Sequence, residues 1–351
     1  MTESAPPADS PQDREVLPPV EQPSAGFIIQ LFVIPGMIVL LIVLLWLGFS
    51  WLAHRGTQPE EIVRQMRQNK ANSWQLAYNF SEELRQNETY RTDQELANEV
   101  AAFLNDLLDQ PLPPNSENGF GGTSPRSQEI ARRGFLCKAL GEFLVPEAVL
   151  PVLIRAASNH ADDDELRVRL AAIEAIALLV DNTHTPGTDV SPELLALLLA
   201  NSENDDRKIA SRAVVALAAT GQPEATSRLE EMLTEAHHVD VIYNVATGLA
   251  RLGNAACLET LEEMLDPNNE RALSEESNPS ERELKRLRIL LNALRAAQVL
   301  RANNSQTNLQ PLEPAIQTLQ STEENPQIQM EAELTIRALQ NPVPAGSSSK
   351  Q

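Results

Sequence analysis

Between Asp206 and Leu265 one pattern is written twice. A shift of about 32 residues, within the range of helical repeat units, lays Ile209 on Val241, Ala213 on Val245, Leu217 on Leu249 and Gly221 on Gly253. The same shift lays Leu229 on Leu261, Met232 on Met264 and Leu233 on Leu265. In each copy apolar residues stand three and four apart, on one helix face, followed by a glycine-containing break and a second helix of the same kind. A lone hairpin of this size buries too little apolar surface to offset chain entropy. Copies must therefore stack, and the expected fold is all-α, a solenoid of helical hairpins.

The strings RKIASRAVVALAATGQPEATSRLEEML and YNVATGLARLGNAACLETLEEML resemble HEAT repeats, especially the bacterial subtype called phycobilisome-lyase HEAT-like. That subtype reads roughly V-R-x-x-A-A-x-A-L-G-x-L-G, then D-P-x-A-x-P-x-L. Upstream, ALGEFLVPEAVLPVLI is similar to its A-L-G-x-L-x-x-P-x-A-V-x-P-L-L. The string WQLAY, Trp74 to Tyr78, resembles one found in bacterial proteins where a single membrane helix and a short linker precede it. The resemblance is specific as to fold and leaves function open, since such repeats occur in scaffolds, lyases and adaptors alike.

Composition narrows the partners. Only 4% of residues are aromatic, which suits helices packed closely at small side chains, and the formal charge is −21. Nucleic-acid binding relies on Lys and Arg displacing counterions, so a nucleic-acid partner is not expected. A basic protein partner suits the charge better. Cys137 and Cys257 are far apart in helical patterns and are read as small buried hydrophobes, with no disulfide or metal framework implied.

In chain order, residues 1–25 read as a disordered, acidic, proline-rich tail. Residues 26–53 carry no charge and read as a transmembrane helix, since about 20 residues cross roughly 30 Å of hydrocarbon. A cleaved signal peptide is the rival, but the apolar run is long, an acidic segment precedes it and no A-x-A site follows. Arg55, Arg64, Arg67 and Lys70 follow the run, against Arg14 alone before it, which predicts a single-pass protein of the cell membrane with its C-terminal part cytoplasmic. Residues 54–110 read as membrane-proximal helices forming a divergent first repeat, 111–126 as a linker or loop, 127–340 as the HEAT-like array and 341–351 as a flexible tail. The long helix near residue 282 is expected to turn Leu284, Leu287, Leu291, Leu294 and Ala297 inward, with Lys285 on another face.

No catalytic constellation emerges, and no cofactor is expected. HEAT-like enzymes that hydroxylate a modified lysine hold two irons with repeated His-Glu dipeptides, as the resemblance has it. Here His54, His160, His184, His237 and His238 are each followed by something other than glutamate. The acids after His160, Asp162 to Asp164, read as helix caps rather than metal ligands. P-loop, G-x-S-x-G, H-E-x-x-H and G-x-G-x-x-G motifs are all missing. The expectation is therefore a non-enzyme.

One charged stripe remains. Stacking would place Glu230 and Glu231 beside Glu262 and Glu263, with Glu259 nearby, in the second-helix layer that the resemblance puts on the concave side. The reading is a membrane-anchored scaffold or adaptor holding protein partners along that acidic groove. The alternative is a bilin-lyase-like or other ligand-handling enzyme built on the same repeats.

Overall fold

The computed structural model describes residue 26 and residues 33–53, 59–68, 73–114, 124–184 and 189–340, without the side chains of 49–53, 59 and 60. The expected tails at 1–25 and 341–351, and most of the 111–126 segment, lie outside the described residues. By its contacts the chain divides into two compact units, Met1–Gln58 and Pro59–Gln351.

In the first unit, helix α1 runs Ile34–Ala53 with no acidic or basic residue at either end. Its large apolar side chains from Ile34 to Leu47 are all exposed. Among the described residues no helix is long and apolar enough to cross a membrane. The expected span over 26–53 falls partly on residues outside those described.

The second unit is made of hairpins. Helix α2 (Pro59–Gln68) lays Ile62, Val63 and Met66 against α3 (Ser73–Gln86) and α4 (Gln94–Leu108), which form the first pair. The next pairs are α5 (Pro125–Glu142) with α6 (Pro146–Ala157), and α7 (Leu166–Thr183) with α8 (Pro192–Ser202). The repeated pattern becomes α9 (Arg207–Thr220), α10 (Pro223–Glu235), α11 (Val239–Arg251) and α12 (Leu258–Met264). Helices α13 (Pro279–Asn303), α14 (Glu313–Thr322) and α15 (Pro326–Gln340) complete the unit, and no strand occurs among the described residues. The second unit is an all-helical, HEAT-like stack.

Local sequence sets the ends of these helices. Ser191 accepts from the Leu194 amide with Pro192 in the first turn, and Asp206 accepts from the amides of Lys208 and Ile209. Each satisfies amides that a helix start leaves without partners. The two aligned glycines end α9 and the turn after α11 with φ of 61° at Gly221 and 70° at Gly253. That left-handed region costs a residue bearing a Cβ roughly 1–2 kcal/mol, so glycine recurs there.

The buried faces follow helical spacing. Leu96, Val100, Phe103, Leu104 and Leu107 are buried on α4, and Val168, Ala172, Ile173, Ile176 and Val180 on α7. Helix α13 departs from expectation. Leu284 is exposed, and Lys285 is buried with its ammonium 3.3 Å from Asp240 and 3.6 Å from Glu276. The buried face is Ile289, Leu290, Ala293, Leu294, Ala297 and Leu300. Two carboxylates from neighbouring segments make the inward lysine tolerable, and a helix wheel contains neither of them.

The stacking also corrects the expected layer. First helices pack on one another at every step, α3 on α5, α5 on α7, and so on to α15. Second helices meet along α4 and α6 and only marginally at α8 and α10. Small residues explain the tight layer. A Cβ on Gly141 of α5 would sit 2.7 Å from the Ala175 Cα on α7, and one on Gly248 of α11 would sit 2.8 Å from the Ala218 Cβ on α9.

Candidate functional site

The outer surface of the first-helix layer carries two adjoining clefts. One, of about 310 Å³, lies over α7, α9 and α11 and is lined by Glu174, Leu178, Asp181, Arg212, Val215 and Arg251, among others. The other, of about 260 Å³, continues over α9, α11 and α13 with Val215, Asn244, Thr247, Arg251, Asn292 and Arg295. They share Val215 and Arg251, so together they form one groove across four first helices. Its floor is apolar: Leu178 and Val215 are exposed there with no covering side chain from above.

Ion pairs across the groove define its walls. Arg212 of α9 meets Glu174 of α7 at 2.9 Å, joining adjacent repeats. Arg251 of α11 pairs with Asp181 of α7, so its guanidinium passes over the intervening α9. The crossing is open because α9 presents Val215, Ala218 and Ala219 rather than long side chains. Helices two apart in the stack are thus bridged on this side. Exposed pairs of this kind contribute little stability, typically below about 1 kcal/mol, and remain open to exchange with a partner.

A second cluster is buried. Arg133 of α5 is almost fully enclosed and meets Glu165, at the start of α7, together with Glu129 at 3.1 Å and the Gln110 carbonyl at 2.7 Å. Arg132 pairs with Glu129, bonds the Ser73 hydroxyl at 3.3 Å and lies over the Phe103 ring. Glu165 Oε2 is buried with no hydrogen-bond partner. Desolvation raises the Glu165 carboxyl above the usual range, against the pull of Arg133, and burial lowers the Arg132 guanidinium. Cys137 sits close by, fully buried, its thiol pushed up to about 12 chiefly by desolvation. Burial thus disfavours the thiolate that nucleophilic attack would need.

The acidic residues singled out in the sequence lie on the other layer. Glu230 and Glu231 are exposed on α10, where Glu230 accepts from the Asn254 amide at 2.5 Å and Glu231 meets Arg228 at 3.0 Å. Glu263 is half-buried, accepting from the Tyr243 hydroxyl at 2.8 Å and pairing with Arg271 at 3.1 Å. Glu259 and Glu262 are exposed on α12. Helix α10 touches the turn Ala255–Cys257 that leads into α12.

Among the described residues, His160 and His184 make polar contacts. His160 contacts the Arg169 guanidinium, while Asp162 and Asp164 hold Arg126 at 2.5 and 2.6 Å. His184 lies 2.9 Å from the Thr220 carbonyl. His237 and His238 line a cleft of about 480 Å³ with Arg228, Glu203, Asp205 and Glu235. Among the described residues no three His, Cys, Asp or Glu side chains gather as metal ligands. The groove on the first helices escaped sequence reasoning because its two walls come from residues 70 positions apart, Asp181 and Arg251. One signal was legible, the run of small residues at Ala218 and Ala219 facing Gly248.

No curated protein matches the chain. Among solved structures, the chain is similar to human deoxyhypusine hydroxylase in complex with glycerol, at 15% identity and a TM-score of 0.30, over 81% of this chain and 96% of that one. That protein is by name an enzyme, so the expectation that this chain is not one is corrected and withdrawn. A likeness this distant carries no argument about an activity or a site. The sequence family described as HEAT repeats matches residues 191–277, which contain both copies of the repeated pattern from α9 to α12.

Proposed function

We propose that the chain is a helical-repeat scaffold, tethered to the cell membrane by its N-terminal apolar segment, that holds protein partners in the groove across α7, α9, α11 and α13. The observation that carries this reading is the groove itself. Exposed apolar side chains lie along its floor, and its walls are charges in solvent-accessible pairs. A partner supplying apolar contacts at Leu178 and Val215 gains burial at about 25 cal/mol per Å² and completes a face that the array leaves open.

Tethering is supported by the apolar run over residues 26–53, which carries no charge, and by the exposure of every large apolar side chain from Ile34 to Leu47. A helix that is apolar all round is stable only inside a protein core or a bilayer. The basic residues Arg55, Arg64, Arg67 and Lys70 after that run support a cytoplasmic array.

Two measurements test the reading. Alkaline carbonate extraction of membranes should leave the full chain in the pellet; recovery in the supernatant would remove the tether. Purification of the full chain in mild detergent, with Leu178→Glu/Val215→Glu beside it, should yield stoichiometric partners that the double variant loses. Partners retained equally by both proteins would sink the groove assignment. The second-helix acids, with Glu230, Glu231, Glu262 and Glu263 changed to Lys, serve as the matched test of the other face.

A further inference from the structure

Within that groove the cleft over α9, α11 and α13 has its own chemistry. The chain holds 49 acidic against 28 basic residues, yet Arg251 and Arg295 line this cleft and no carboxylate does. Each arginine is tied by one side only. Arg251 uses one terminal nitrogen on Asp181, and Arg295 uses Nε on Glu331 at a long 3.4 Å. Their side chains are 45% and 57% exposed, so both guanidinium groups are accessible to a ligand. Guanidinium forks of this kind match carboxylates in bidentate geometry.

Between the arginines stand two amides, Asn244 and Asn292, that make no side-chain hydrogen bond within the protein among the described residues. A side-chain amide donates and accepts as a peptide group does. A helical ligand has its own backbone groups already paired, so unpartnered amides select an extended one. The floor of Val215, Ala218, Ala296 and Val299 takes an apolar side chain from such a segment. Gly248 keeps that floor shallow and closed, since a Cβ there would collide with Ala218 at 2.8 Å.

We propose that this cleft binds an extended, acidic segment of a protein partner, with carboxylates on Arg251 and Arg295, backbone on Asn244 and Asn292, and an apolar side chain on Val215. The assignment rests on the scaffold reading above and specifies the partner's charge, which is opposite to that suited to the acids of α10 and α12.

The test places a benzophenone photocrosslinking residue at Val215 or at Glu262 in the full chain in its native membrane, and sequences the crosslinked peptides by mass spectrometry. The expected result is a crosslink from Val215 to a peptide rich in Asp and Glu. Its yield should fall about tenfold or more in Arg251→Glu/Arg295→Glu, the loss of charge-assisted hydrogen bonds. It should return when the partner's carboxylates are changed to Lys. Arg271→Glu, outside the cleft, should leave the yield unchanged. If the double variant loses helicity by circular dichroism, Arg295→Glu alone decides, because that side chain is largely exposed and sits outside the core. A neutral or basic peptide at Val215, a yield indifferent to charge reversal, or crosslinks from Glu262 alone would each overturn the acidic-ligand assignment while leaving a scaffold. No crosslink from either position would overturn both.

Discussion

Two first-helix interfaces solve the same packing problem with different chemistry. Between α5 and α7 a glycine lets the backbones touch at Gly141 and Ala175, and a buried charge pair, Arg133 with Glu165, locks one helix to the start of the next. Between α9 and α11 a glycine again faces an alanine, Gly248 against Ala218, but the charges stay at the surface and both helices are followed by left-handed glycine turns. The first arrangement specifies a unique pairing at the cost of desolvating ions. The second is generic, so it is the one that repeats in sequence and is matched as HEAT repeats over 191–277.

The sharpest way to break this contrast is Arg133→Met. Removing one partner strands Glu165 in the core and should cost about 3–5 kcal/mol, read as a lowered urea midpoint with the loss concentrated in α5 and α7 by hydrogen exchange. Arg133→Met/Glu165→Leu should recover most of it. A double variant as unstable as the single would mean that the pair contributes through something other than charge compensation.

Glycine substitutions should separate the interfaces by less. Gly141→Ala drives a methyl into the backbone of Ala175 and should cost about 1–3 kcal/mol, as overpacking does. Gly248→Ala meets the Ala218 methyl at 2.8 Å and only grazes the Leu229 side chain at 4.0 Å, and Ala218→Gly should rescue it because one methyl then replaces another. Failure of that rescue would show that the α9–α11 spacing is set elsewhere. In the turns, Gly253→Ala should cost roughly 1–2 kcal/mol from its positive φ, and its Cβ would also lie 3.2 Å from the Asn303 carbonyl oxygen. A loss well below that range would mean that the turn relaxes out of the left-handed region.

The smallest effect is in pH. Burial raises the Glu165 carboxyl, so its contribution to stability is present below the ordinary glutamate range and is lost as pH rises through the raised value. Glu323, lowered chiefly by its hydrogen bonds to Arg286 at 2.9 and 3.0 Å, acts oppositely: its contribution is present above the ordinary range and is lost as pH falls through the lowered value. Hydrogen exchange followed across the acidic range should show α5 and α13 responding with opposite signs, and Glu165→Gln should flatten the first response alone. Parallel responses would contradict the assignment of desolvation to Glu165 and of the Arg286 hydrogen bonds to Glu323.

What was legible in the sequence follows from distance along the chain. Helix faces and turns depend on residues within about one repeat, so the aligned apolar faces of α9 and α11 and the paired glycines were readable from spacing alone. The inward turn of Lys285 was not, because the carboxylate nearest it, Asp240, belongs to another repeat. Nor was the groove: charged residues on α7, α9 and α11 look like ordinary solvated faces until stacking carries Arg251 over α9 to Asp181.

By itself, then, the sequence determined an all-helical array of hairpins, because a repeated apolar period cannot be buried any other way. Tertiary structure decided which layer closes and which side chains meet across it. Gly141, Gly248 and their alanine partners draw the first helices together, and only that closeness places Arg251 and Arg295 beside Asn244 and Asn292 in one cleft. Spacing acts within a helix, whereas a binding surface is made by contacts between helices far apart in the chain.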